Sequence, residues 1–486
     1  MKKILTILIF LPVFGISQTQ IGTSIFGTTS GDAFGWSLSN NNLGDIMAVG
    51  SPNSDVNGSN SGQVRVYQNQ SGSWVQLGQN INGEAAGDEF GWSISLSSDG
   101  NVLAIGSPNN DTNGNDAGYV RVFQYQSNSW VQIGQNILGT AAGDGSGYSV
   151  KLNSDGSILA ISSYLNNLST GRVRVYQNQS STWVQLGTDI TGINSGDEFG
   201  RSVSLSGDGS ILGVGATGSS TNGSRAGQIR VFQNQAGNWT QIGSTINGAN
   251  AGDQLGHAVS LNNAGDIMAV GANRFDGSGI DSGSVKVYEN QANNWIQLGQ
   301  DIFGESGGDR SGQSVSLNSD GSVLAIGSNL NSNNGSAAGN TRVFQFQSTN
   351  WVQIGQDIDG DASGDVSGWS VSLSGDNQIL AIGAPANDGN GAGSGQVRVY
   401  DLNETLGINN QDLAYLNVYP NPTKNIINIK LPNNVTLKSL RIVNNLGKLV
   451  LTPESKIINT STLSTGLYYL IIETDQGNTT KKLIIE

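Results

Sequence analysis

The 486-residue chain has no cysteine, one histidine, three methionines and eight prolines, and only 12% of its residues are charged. The missing cysteine excludes disulfides, a thiolate nucleophile and thiolate-ligated zinc, so stability has to come from packing. With His257 as the sole histidine, a Ser–His–Asp site or a histidine-ligated zinc site would have to be built around that residue. No stretch approaches the roughly 20 apolar residues of a membrane-spanning helix. Ile4 to Phe14 follows Lys2-Lys3 and precedes Gly15-Ile16-Ser17. This reads as a secretory signal over residues 1–17, with cleavage near Gln18. No cysteine follows it, which excludes a lipoprotein anchor.

Basic charge is scarce and unevenly placed. Residues 413–486 hold eight Lys/Arg and four Asp/Glu, whereas residues 18–412 hold 13 and 33, a formal −20. So acidic a body repels phosphate backbones and lacks the basic face of a nucleic-acid binder.

Glycine is abundant, with 69 residues, as many short strands and turns require. A Gly-Asp pair recurs at Gly31-Asp32, Gly87-Asp88, Gly143-Asp144, Gly196-Asp197, Gly252-Asp253, Gly308-Asp309 and Gly364-Asp365. The spacing is 56 residues except for one interval of 53, and a fixed period of this size marks a repeat architecture. Within one unit, Phe90–Leu96 alternates small polar and apolar residues and Val102–Gly106 is a near-continuous apolar run. Val120–Gln124 alternates again, and Trp130–Ile133 closes the unit. Four short strands joined by turns predict a propeller blade.

The third-strand motif occurs seven times, but the fourth-strand tryptophan only six, from Trp74 to Trp351. The missing fourth strand stands at the other terminus, where residues 20–27 copy residues 132–139. The expected fold is therefore all-β: a seven-bladed β-propeller over 18–402, its last blade completed by the N-terminal strand. Such closure leaves no long unpaired edge.

Phe34-Gly35, Phe90-Gly91 and Phe199-Gly200, with Gly50-Ser51-Pro52, Gly106-Ser107-Pro108 and Gly383-Ala384-Pro385, make the repeat similar to the FG-GAP family, known from integrin α-chain propellers. The resemblance implies extracellular recognition or adhesion. Integrin-like repeats often carry a calcium loop between the first two strands. Here that connection is a tight turn, such as Asp99-Gly100 or Asp155-Gly156, with no room for 6–8 oxygen ligands, so calcium does not carry over.

Residues 403–412 read as a linker, and 413–486 as a small strand-rich β-sandwich. Tyr419-Pro420-Asn421-Pro422, Leu463-Ser464-Thr465-Gly466-Leu467-Tyr468-Tyr469 and Lys481-Lys482-Leu483-Ile484 resemble the type A C-terminal sorting domain of the type IX secretion system of Bacteroidota. This resemblance implies the secretion machinery as a partner and delivery to the cell surface or the medium. An ordinary terminal sandwich is the other account of the same strands.

The seven Asp of the Gly-Asp pairs occur once per repeat. A residue present in every copy solves a problem common to every blade, so a structural role in bonding nearby backbone N–H groups is expected. The residue after the Phe-Gly position varies instead: Trp36, Trp92, Tyr148, Arg201, His257, Gln313 and Trp369. These residues begin the strand that lines a propeller's axis, so they should ring one mouth with an aromatic arc facing a polar one. That arrangement suits a glycan or a flexible peptide, although the aromatics could equally fill space near the axis. In the second-to-third-strand loops, Asp111, Asn113 and Asp116 could offer oxygen ligands to a cation such as calcium, or serve polar turns. No other cofactor is expected. The expected function is surface recognition of a glycan or protein without catalysis. A propeller enzyme acting on polysaccharide and a passive surface-layer component are the alternatives.

Overall fold

A computed structural model describes residues 18–403, 417–431, 436–444, 449–453, 455–474 and 477–485. The signal read over 1–17 and nearly all of the 403–412 linker lie outside the described residues. The chain divides into two compact units at Asp401/Leu402.

Within Gln18–Asp401 the described residues form seven antiparallel sheets, one per sequence repeat. The second is typical, with strands Ser93–Leu96, Val102–Ser107, Tyr119–Gln126 and Ser129–Gln132 side by side. The apolar run is buried along its whole length, and Leu103, Ala104 and Ile105 are fully enclosed because both faces pack on neighbouring sheets. Each sheet also carries a short element that the sequence reading did not separate from the fourth strand. After the fourth strand the chain runs on along the same edge and pairs once more, again antiparallel, with the third, as Ile137–Leu138 does with Val120 and Tyr119. In the sixth repeat the two pieces run together as Asn350–Asp359.

The N-terminal residues occupy this outer position on the seventh sheet. Thr19 and Gln20 pair with Asp401 and Tyr400, while Ile25 and Phe26 pair with Val397 and Gln396. Gln20 opposite Tyr400 reproduces Gln132 opposite Phe123 in the second sheet. A hydrogen bond from Ile21 N–H to the Val399 carbonyl (2.7 Å) continues the ladder.

Successive sheets are joined along their innermost strands by serine hydroxyls. Ser37 donates to the Gly91 carbonyl (2.7 Å), Ser93 to Gly147 (2.7 Å) and Ser314 to Gly368 (2.9 Å). Ser370 of the last sheet donates to Gly35 of the first (2.7 Å). A second serine column accepts backbone N–H groups, as Ser39 does from Leu96 (2.9 Å) and Ser372 from Asn40 (2.9 Å). Lys151 replaces serine in that column of the third repeat. The neighbouring link is then made by Ser149, which accepts from Val203 N–H at 3.2 Å. On the outside, the indole N–H of Trp130 reaches the Leu77 carbonyl of the preceding sheet (2.9 Å), and Trp351 reaches Leu298 (2.9 Å).

The C-terminal unit is a three-stranded and a four-stranded antiparallel sheet. Ile427, Ile429 and Ile458 of the first share one core with Leu440, Ile442, Leu470, Ile472 and Leu483 of the second. Alternation along Leu437–Asn444 gives that strand its single buried face.

Candidate functional site

The seven Gly-Asp carboxylates are buried, at 2–3% exposure, and are all occupied. Each accepts the backbone N–H of the residue three positions earlier, as Asp32 does from Thr29 (2.9 Å), Asp197 from Asn194 (2.8 Å) and Asp309 from Ser306 (2.8 Å). Asp88 and Asp365 also accept from the amides of Asn110 and Asn387 (both 3.0 Å). Against the cost of burial, hydrogen bonds from Thr140 (2.6 Å) and Asn166 (2.7 Å), and then the charge of Arg172 (2.9 Å), hold the Asp144 carboxyl below its usual range. Their chemistry is that of a turn cap.

The loop residues considered for a cation are also engaged. Asp111 accepts the Asp116 N–H (2.8 Å), Asn113 donates to the Gly139 carbonyl (2.7 Å), and the Asp116 carboxylate accepts from Asn115 (2.6 Å). The first two bonds recur elsewhere, Asp55 to Asn60 N–H (2.8 Å) and Asn57 to the Gly83 carbonyl (2.7 Å). Among the described residues no group of three or more His, Cys, Asp or Glu could hold a metal ion.

The variable column behaves differently. All seven of its residues are half-buried, and the side chains from Trp369 through Trp36, Trp92 and Tyr148 to Arg201 touch in series. Trp36 lies between Trp92 and Trp369, with ring centroids 4.8 and 4.6 Å away. Trp92 touches Tyr148 (5.6 Å), and the Arg201 guanidinium sits over the Tyr148 ring (4.8 Å). His257 is hydrogen-bonded to Gln313, which also accepts from the Asn273 amide (3.0 Å). Arg201, His257, Gln313 and Trp369 line one cleft, of about 370 Å³. An aromatic arc from three repeats plus Tyr148 thus faces a polar arc from the next three.

Neighbouring repeat columns contribute residues that the sequence reading missed. Tyr164 packs against Tyr148 (ring centroids 4.1 Å apart, planes inclined at 45°) and lines both this cleft and a second, of about 410 Å³, that holds Trp92, Pro108 and Glu89. The column of Tyr164 reads Pro52, Pro108, Tyr164, Thr217, Asn273, Asn329 and Pro385, and so divides into the same two arcs. Arg225, Arg274 and Arg310 also line the first cleft. The signal available was loss of repeat symmetry at positions flanking the column already chosen.

Electrostatics follow from this clustering. Burial, then the charges of Arg201, Arg310 and Arg274, push His257 down to about 3 despite its bond to Gln313, so the imidazole is neutral. Burial and Arg225 lower Arg201 to about 10. On the other side of the mouth, burial and Asp116 raise Glu89. At the opposite end of the innermost strands lies a smaller cleft of about 140 Å³. Its serines and asparagines bond one another, as Ser154 does Asn263 (2.9 Å) and Ser319 does Asn42 (3.1 Å).

Comparison with known proteins agrees with this architecture. The FG-GAP repeat family matches residues 82–123, 192–232 and 357–400, and the secretion system C-terminal sorting domain matches 417–486. The chain carries FG-GAP repeats followed by a sorting domain of the kind that marks proteins exported by type IX secretion to the cell surface or extracellular space. No curated protein matches the sequence. Among solved structures, hydrazine synthase of Kuenenia stuttgartiensis is similar at 12% identity and a TM-score of 0.50, over 77% of this chain and 97% of that one. A Bacteroides uniformis protein assigned as a 6-phosphogluconolactonase is similar at 13% identity and a TM-score of 0.50, over 90% and 100%. At such identities the likeness concerns the fold alone, which is all-β and propeller-like.

Proposed function

We propose that this chain is an exported recognition module: a seven-bladed propeller, closed by its N-terminal strand, that binds a glycan or protein ligand at the Trp36–Trp92–Trp369 mouth. The carrying observation is the contiguous aromatic arc facing His257, Gln313 and Asn273. Those aromatics are half-buried, offering ring faces for contact area, while the polar side chains across the cleft give direction. Closure is supported by the register of Gln20 on Tyr400 and by the Ser370–Gly35 hydrogen bond from last sheet to first. A binding role rather than catalysis is favoured because the groups acting on the lone histidine are Gln313 and arginines, not a serine and a carboxylate.

The test is a glycan and matrix-protein binding screen, with turnover assayed in parallel. The chain and a Trp92→Ala/Trp369→Ala variant would be compared. The variant should bind about 5–200-fold more weakly, the scale of losing hot-spot aromatics. Unchanged affinity would remove the mouth as the binding surface, and turnover of a polysaccharide would replace recognition by catalysis.

A further inference from the structure

Residues 18–412 carry 13 basic side chains against 33 acidic ones. Seven of the 13 occupy a single third-strand column, from Arg65 to Arg398, and belong to the repeat itself. Six remain. Arg172 is held by Asp144 (2.9 Å) and Asp189 (3.3 Å), and Lys151 lines the cleft at the far end. The other four, Arg201, Arg225, Arg274 and Arg310, all line the cleft at the aromatic mouth. In so acidic a body, most of the cations that the repeat does not dictate are gathered at one place.

That charge is largely uncompensated. Arg225 is committed to Glu198 by two hydrogen bonds of 2.8 and 2.9 Å. Among the described residues, no carboxylate forms an ion pair with Arg201, Arg274 or Arg310.

Resting on the mouth reading above, we propose that the ligand is an anionic glycan whose sugar faces lie on the tryptophan arc and whose carboxylate or sulfate groups are held by Arg201, Arg274 and Arg310. A guanidinium presents a planar fork of donors that matches either oxyanion with two parallel hydrogen bonds. A neutral sugar would leave these cations desolvated without a partner, which is unfavourable. An acidic peptide would answer the charge but gives no reason for three tryptophans in one continuous surface. Glu89 and Asp116, lining the adjoining cleft, repel a polyanion and direct it to the arginine side.

The test is calorimetric titration of the full chain with oligogalacturonate, dextran sulfate, neutral dextran and poly-L-glutamate at two salt concentrations. Oligogalacturonate and dextran sulfate distinguish carboxylate from sulfate as the recognised group. At least one of them should bind, and neutral dextran should not. An Arg274→Gln/Arg310→Gln variant, checked for unchanged melting, should bind that polymer at least 10-fold more weakly and with a shallower salt dependence. Failure of both anionic polymers to bind, indifference to the arginine variant, or equal binding of neutral dextran or poly-L-glutamate would each overturn the proposal. Binding that needs Trp92 and Trp369 but not the arginines would remove the anionic ligand and keep the mouth. Anionic binding indifferent to all four residues would remove the mouth itself.

Discussion

Gly27 tests the docking of the N-terminal segment more cleanly than a deletion, because the change is a single methyl group. It ends the short outer strand, and its N–H donates to the Gly395 carbonyl (3.0 Å) while its carbonyl accepts from the Asn390 amide (3.0 Å). A Cβ at this position would overlap the Ser394 carbonyl oxygen. The six equivalent glycines, Gly83, Gly139, Gly192, Gly248, Gly304 and Gly360, each meet a backbone carbonyl in the same way. Gly27→Ala therefore has to push the strand outward by about 1 Å to restore van der Waals separation. Overpacking against rigid backbone costs about 1–3 kcal/mol, and two weakened hydrogen bonds cost about 1 kcal/mol each. The expected loss is about 3–5 kcal/mol, equal within error to that of Gly139→Ala, where the Ala117 carbonyl stands in the way. Urea denaturation of both variants measures it. If Gly139→Ala is destabilised while Gly27→Ala matches the parent, the N-terminal segment does not complete the seventh sheet.

Three further outcomes are expected. Asp365→Ala strips a buried carboxylate from the Ala362 N–H and the Asn387 amide, and should cost about 2–4 kcal/mol in denaturant without altering ligand affinity; a neutral result would deny the capping role. His257 is lowered from 6.5 to about 3, so between those values the unfolded chain binds the extra proton and stability falls as pH falls, while above about 6.5 it is constant. That displacement corresponds to about 4–5 kcal/mol, reduced to about 1–3 kcal/mol by solvent at the mouth; His257→Gln should flatten this part of the stability–pH curve, and an unchanged slope would refute the burial argument. Removing residues 403–486 should abolish surface delivery yet leave ligand binding and melting of the repeat unit unaltered, as shown by cell fractionation and calorimetry.

The repeat period carried most of the architecture, because each copy contains its own strand alternation and turns and its copies differ little. Even the register of Gln20 on Tyr400 could be read, since residues 20–27 repeat residues 132–139 and so inherit their pairing. What the repeat does not contain was harder to see. The short strands that follow the fourth, such as Ile137–Leu138, are two residues long, too few for an alternation to register. The mouth divided similarly. One column named Trp36, Trp92 and Trp369, whereas Tyr164, Arg274 and Arg310 come from other columns and reach the cleft only once the sheets are arranged together. Arg310 follows a Gly-Asp cap and Arg274 lies in the loop after a second strand, and the matching positions in other copies include uncharged residues such as Ala33 and Ala386.

The central claim is that ligand lies on the three mouth tryptophans, and indole ¹⁵N–¹H NMR tests it most directly. The chain has nine tryptophans, of which six, from Trp74 to Trp351, stand on outer strands. With signals assigned by single Trp→Phe substitutions, a ligand found in the screen is added stepwise. The account predicts that the Trp36, Trp92 and Trp369 resonances move together along one binding curve while the outer six stay fixed. Movement confined to the outer signals, or none in the mouth at saturating ligand, would contradict it.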